Sequence, residues 1–158
     1  MTTSDDASAR GDATSFGQQY LETAVHTASP AQLRLMLIER AIDVSNGLAE
    51  RWRRGEELGV NEHSLKLLDL LMALLGGVGR GSTESNHQVC RQVADLYVFL
   101  SQHLIAAETT SNAESIDEIR IVLETEAATW RSVCVQQASS GPLVKPSPLN
   151  STRLNLEG

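Results

Sequence analysis

The stretch Ser29-PAQLRLMLIERAIDVSNGLAERWR-Arg54 decides the fold. Ser29 can accept the amide hydrogen bonds of a first helical turn, Pro30 suits the first helical position, and Gln32 stands where a capping box needs it. From there Leu33, Leu37, Ala41, Val44 and Leu48 recur at helical spacing, and a second stripe, Leu35, Ile38 and Ile42, flanks the first. A helix apolar on two sides must be covered on two sides, by its own bundle or by a partner. The run Arg51-Trp52-Arg53-Arg54 reads as a helix end, where cations complement the macrodipole, and Gly55 and Gly59 follow it.

Working outward, three further helical segments come into view. Asn61 can cap a second helix running through "SLKLLDLLMALL". There Leu65, Leu68, Met72 and Leu75 form one stripe, while Leu67, Leu70, Leu71 and Leu74 widen it nearly all round. The Gly-rich "GGVGRGSTES" breaks it, and Glu84 or Asn86 opens a third helix with a seam of Val89, Val93, Leu96, Leu100 and Leu104. Cys90, Tyr97 and Phe99 lie beside that seam. "TTSNAES" reads as a turn, and Ser115 with Glu118 forms a second capping-box pattern ahead of a fourth helix. That helix is expected to bury Ile116, Ile119, Leu123, Ala127, Trp130 and Cys134. Four amphipathic helices with short connections predict an all-α, antiparallel up-down four-helix bundle, elongated, with a short N-terminal capping segment. Residues 1–15 are polar and acidic and read as a disordered tail. Residues 16–137 form the helical domain, and residues 138–158 have the Pro and Ser punctuation of a flexible tail.

The 158 residues suit one domain, and Leu and Ala dominate over a 4% aromatic content, which favours helices over a β-sandwich. A net charge of −7 argues against nucleic-acid binding, which needs a basic face. The N-terminus lacks the basic and apolar regions of a signal peptide, and the longest apolar run is far too short for membrane insertion, so a cytosolic protein is expected. Cys90 and Cys134 sit in apolar periodic segments and are expected as buried, reduced thiols.

Chemistry is sparse. Gly76 and Gly81 have the spacing of a phosphate-binding loop, but the Lys is missing and a helix stands where a strand should precede. Glu84 and His87 spell E-x-x-H, without the second pair and inward carboxylates of a di-iron bundle. No nucleophile and base surround His26, His63, His87 or His103, so neither catalysis nor a cofactor is expected. His103 on a four-helix bundle leaves one alternative, a histidine phosphotransfer or other signalling module. The apolar excess of the second helix remains open to three explanations: a deeply buried helix, a homodimer face, or a groove for another protein.

The run Tyr20-LETAVHTASPAQLRLM-Leu37 resembles the opening of the flagellar secretion chaperones for flagellin, the FliS family. Their pattern is a Tyr, then Val-x-Thr-Ala-Ser/Thr-Pro, then x-x-Leu-x-x-Met-Leu. Leu96-Tyr97-Val-Phe-Leu100 with Leu104-Ile-Ala-Ala107 is similar to the family's third helix, and Ile119 through Trp130 to its fourth. This chain departs at Ile38-Glu39-Arg40, where Tyr, an acidic residue or Asn, and Gly are usual, and has Glu108 where the family often has Asn. The resemblance implies a chaperone that binds the disordered C-terminal segment of flagellin, prevents its early polymerisation and aids delivery to the flagellar type III export gate. It places a client groove between the second and third helices, at Leu67, Leu71, Leu74 and Leu75 with Val89, Val93, Tyr97 and Leu100. Phe16, Tyr20 and Val25 either cover that surface until the client binds or form a permanent part of the core.

Overall fold

The computed structural model describes residues 28–79 and 84–141 of the chain. They form four helices, α1 (Pro30–Arg53), α2 (Glu62–Gly76), α3 (Glu84–Glu108) and α4 (Ala113–Ser139), with no strand among the described residues. Successive helices run antiparallel. Gly47 lies beside the ring of His63 while Arg34 reaches the end of α2 at Leu74. Arg53 pairs with Asp117 and Glu39 with Arg131, which fixes α4 antiparallel to α1. Tyr97–Glu126 and His103–Glu118 do the same for α3 and α4.

Local chemistry explains where most of these helices start and stop. The Ser29 and Gln32 side chains exchange hydrogen bonds with each other's backbone amides, so the capping box read from the sequence is present. Asn61 and Ser64 make a second reciprocal pair at the head of α2. At the end of α1 the Gly55 amide donates to the Trp52 carbonyl and the Glu56 amide to Arg51. That is a Schellman closure, and it requires the positive φ of 71° that Gly55 supplies.

Two local expectations are corrected. The fourth helix starts at Ala113, capped by Asn112, whose side-chain oxygen accepts from the Glu114 and Ser115 amides. Asn is among the strongest capping residues, so it takes the role ahead of Ser115. In α3 the buried line is Tyr97, Leu100, Leu104 and Ala107, with Val93 half-buried, whereas Val89 and Phe99 are exposed. Both readings of α3 have helical spacing. The neighbouring helices, and not the period, chose between them.

The core draws on all four helices: Ile38, Ala41, Leu48 and Trp52 of α1, Leu67, Leu71 and Leu74 of α2, the α3 line, and Ile116, Ile119, Leu123 and Ala127 of α4. Trp130 and Cys134 are half-buried rather than buried, and Cys90 likewise; both thiols are free. Helix α1 packs against both α4 and α2, which accounts for its two apolar stripes. Where this chain departs from the family pattern, Ile38 is fully buried and Glu39 takes an ion pair with Arg131.

Candidate functional site

At one end of the bundle the start of α1, the end of α2, the start of α3 and the end of α4 converge without closing. They leave a cleft of about 610 Å³ walled by Leu33, Leu37, Leu74, Val78, Val89, Val93 and Trp130, with Pro30 and Ala31 also among its lining residues. Its one charged lining residue among the described residues is Arg34. Nη1 of Arg34 donates to the Leu74 carbonyl at 3.1 Å, one of the last-turn carbonyls that α2 itself cannot satisfy. α2 has no basic residue in its own last turn, so α1 supplies the cation that its negative end favours. The guanidinium carbon lies 5.2 Å from the ring centres of both Tyr97 and Trp130, within cation–π range of each. Nε and Nη2 of Arg34 are buried with no hydrogen-bond partner among the described residues.

Behind Arg34, the Tyr97 hydroxyl donates to Glu126 Oε2 at 3.2 Å. Burial pushes this phenol up to about 12 from an ordinary value of 10.0, the Arg34 cation pulls it back, and Glu126 adds to the rise. Tyr97 therefore stays neutral and donates at any physiological pH.

A second apolar surface runs along the outside of α2 and α3. Leu65, Leu68, Met72 and Leu75 recur every three or four residues and share one face of α2. Ala94, Val98 and Ile105 share a face of α3. Leu75, Arg91 and Ala94 line one shallow depression of about 330 Å³, which sets these two faces side by side. Leu65, Met72 and Ile105 are each 51% exposed and Val98 40%. No helix of the described residues is long and apolar enough to cross a membrane, so this is an apolar face on a short helix rather than a span.

The residues expected to form a groove divide among three places. Leu67, Leu71, Leu74, Tyr97 and Leu100 are buried in the core of the chain by itself, and of these Leu74 also reaches the cleft wall. The broad apolar band of α2 has one side inward and another outward, and Leu67, Leu71 and Leu74 lie on the inward side. Val89 and Val93 line the end cleft, and Leu75 lies half-buried in the α2–α3 depression. Phe16, Tyr20 and Val25 lie outside the described residues. The sequence reading passed over Arg34 and the α3 face of Val98 and Ile105. The stripe Leu65, Leu68, Met72 and Leu75 carried the outward signal once the inward stripe is assigned to the core.

The histidine alternative gains no support. His103 stacks on Phe99 with ring centres 5.6 Å apart, and its Nε2 meets Glu118 Oε2 at 2.7 Å, which sets a carboxylate where a phosphoryl group would arrive. Among the described residues, no three of His, Cys, Asp and Glu are grouped as a metal ion requires.

Comparison with known proteins gives one family and one relative. The family described as "Flagellar protein FliS" matches residues 13–137. The flagellar secretion chaperone FliS of Salmonella typhimurium is 25% identical over 123 residues, which covers 75% of this chain and 86% of the relative. No solved structure matches the chain.

Proposed function

The chain belongs to the FliS family of flagellar proteins, and on that premise we propose that it is a flagellar export chaperone for flagellin. In this reading it takes the disordered C-terminal segment of flagellin onto its apolar surface, keeps it from polymerising early, and presents it in the cytosol to the export apparatus. The observation that carries this is an apolar end cleft together with an apolar α2–α3 outer face, on a bundle whose relative is named a secretion chaperone.

The magnitudes support the use of both surfaces. Full burial of a large aliphatic side chain is worth roughly 1.5–3 kcal/mol, so covering the half-exposed Leu65, Met72, Val98 and Ile105 contributes on the order of 1 kcal/mol each. Ordering a disordered segment on binding costs roughly 2–5 kcal/mol. The outer face alone about balances that cost, and net affinity has to come from the cleft as well. An amphipathic helix laid along α2–α3, continuing into the cleft, is the form of client that fits. Phe16, Tyr20 and Val25 precede Pro30 and Ala31 of the cleft lining in the chain, and their two expected roles, a cover that the client displaces or a permanent part of the core, are told apart by one substitution. Tyr20→Ala changes client affinity in the first case and mainly lowers the melting temperature in the second.

The test of the main reading is titration of the full chain with the C-terminal segment of flagellin from the same organism. Met72→Glu combined with Val98→Glu puts two charges on the outer face without entering the core. Affinity is expected to fall tenfold or more with the melting temperature unchanged. Equal affinity for the variant and the parent protein would remove the outer face from the reading.

A further inference from the structure

We propose that Arg34 reads a carboxylate, so that the segment filling the end cleft carries a single Asp or Glu between apolar residues. This rests on the reading of the cleft as a client surface and states what the client must bring to it. Arg34 is the one charged side chain in the lining among the described residues. Its guanidinium is only partly used. Nη1 is spent on the Leu74 carbonyl, and the faces are held by Tyr97 and Trp130. What remains is the edge formed by Nε and Nη2, which are buried and have no partner among the described residues. Those two N–H groups point the same way from the planar guanidinium and match the two oxygens of one carboxylate.

Among the described residues no well-formed hydrogen bond reaches that edge, and the Tyr97 hydroxyl, which also feels the guanidinium, is turned to Glu126. Glu126, the acid next in the chain of contacts, receives the Tyr97 hydroxyl, and Arg34 has no ion pair with any carboxylate among the described residues. Aromatic faces attract the cation but do not accept hydrogen bonds in the guanidinium plane. A buried donor left without an acceptor is costly, so an occupant that supplies one is favoured over an occupant that is apolar throughout. The edge is closed to water. Docking therefore includes a displacement of the side chains that cover this edge, with the Leu74 and aromatic contacts of the guanidinium kept. The net charge of −7 limits the partner's chemistry in the other direction: a strongly acidic segment is repelled, whereas one carboxylate in an apolar context is neutralised locally.

The experiment uses the full chain, Arg34→Met and Arg34→Lys, with two probes. The first is the C-terminal flagellin segment of the same organism, with each Asp and Glu changed in turn to Asn or Gln. One of these changes is expected to weaken binding to the parent protein about tenfold or more, the range for a hydrogen bond to a charged group. Arg34→Met, shown to be folded by a cooperative thermal transition above the assay temperature, loses the same factor and becomes indifferent to that change in the segment. Arg34→Lys keeps the charge without the fork and falls between. Binding to Arg34→Met within twofold of the parent, or continued sensitivity to the acidic residue on that variant, overturns the proposal. The second probe is a displayed library of random twelve-residue peptides, selected separately on the parent and on Arg34→Met. If no flagellin segment binds the parent, the flagellin reading fails and the library decides Arg34 alone. Acid-bearing apolar peptides enriched on the parent and lost on Arg34→Met sustain it; equal acid content in both selections ends it.

Discussion

The two ends of the bundle are built on opposite plans. At one end the α1–α2 and α3–α4 connections are tied by polar contacts. Trp52 Nε1 and Asn61 Nδ2 both donate to the Glu57 carbonyl, and the Gly59 amide donates to Ser111 Oγ across the two loops. At the other end the helices stop around an apolar cleft whose single lining cation leaves an edge unmatched. The lesson is that backbone polar groups are satisfied first where nothing needs to enter. Apolar surface and an unspent donor are kept where something does.

Substitutions at the two ends should break this contrast by different amounts. The largest effect is expected from Trp52→Ala at the tied end. The side chain is 5% exposed and anchors the loop through Glu57, so truncation should cost about 3–5 kcal/mol in urea unfolding. Next comes alkaline stability at the open end. Tyr97 holds its proton in the folded protein to about 12 and in the unfolded chain to about 10. Its contribution is whole below pH 10 and is lost as pH rises towards 12, a loss of about 3 kcal/mol. Tyr97→Phe should remove that part of the alkaline slope while leaving the slope near neutrality alone. The smallest effect is expected from Asn61→Ala, which loses the α2 cap and the bond to Glu57. It should cost about 1 kcal/mol, measured as a fall in melting temperature. If Asn61→Ala proved as damaging as Trp52→Ala, the loop itself and not the indole beneath it would hold the tied end.

Legibility differed by element. The heads of α1 and α2 were readable because a cap is a matter of three or four adjacent residues, and Ser29–Gln32 and Asn61–Ser64 are local pairs. The head of α4 was misplaced because two capping residues, Asn112 and Ser115, compete within one turn. The candidate site was legible only as an excess: α2 had more apolar residues than one core face can use. Which of them faced outward was not, since Leu67 and Leu71 differ from Leu65 and Met72 by neither type nor period.

By itself, the sequence determined four helices, the caps of the first two, the amphipathic pattern that makes them a bundle, and the resemblance to a family. These follow from short-range hydrogen bonding and from a 3.6-residue period, both contained within a single segment. Only the tertiary structure decided that Leu67, Leu71, Leu74, Tyr97 and Leu100 are core, and that Leu65, Met72, Val98 and Ile105 remain outside. It also brought Arg34 between Tyr97 and Trp130, residues far apart in the chain. The reason is that burial and pairing are properties of neighbours. A helix broad in apolar residues has several faces that would serve, and the helices packed against it select one.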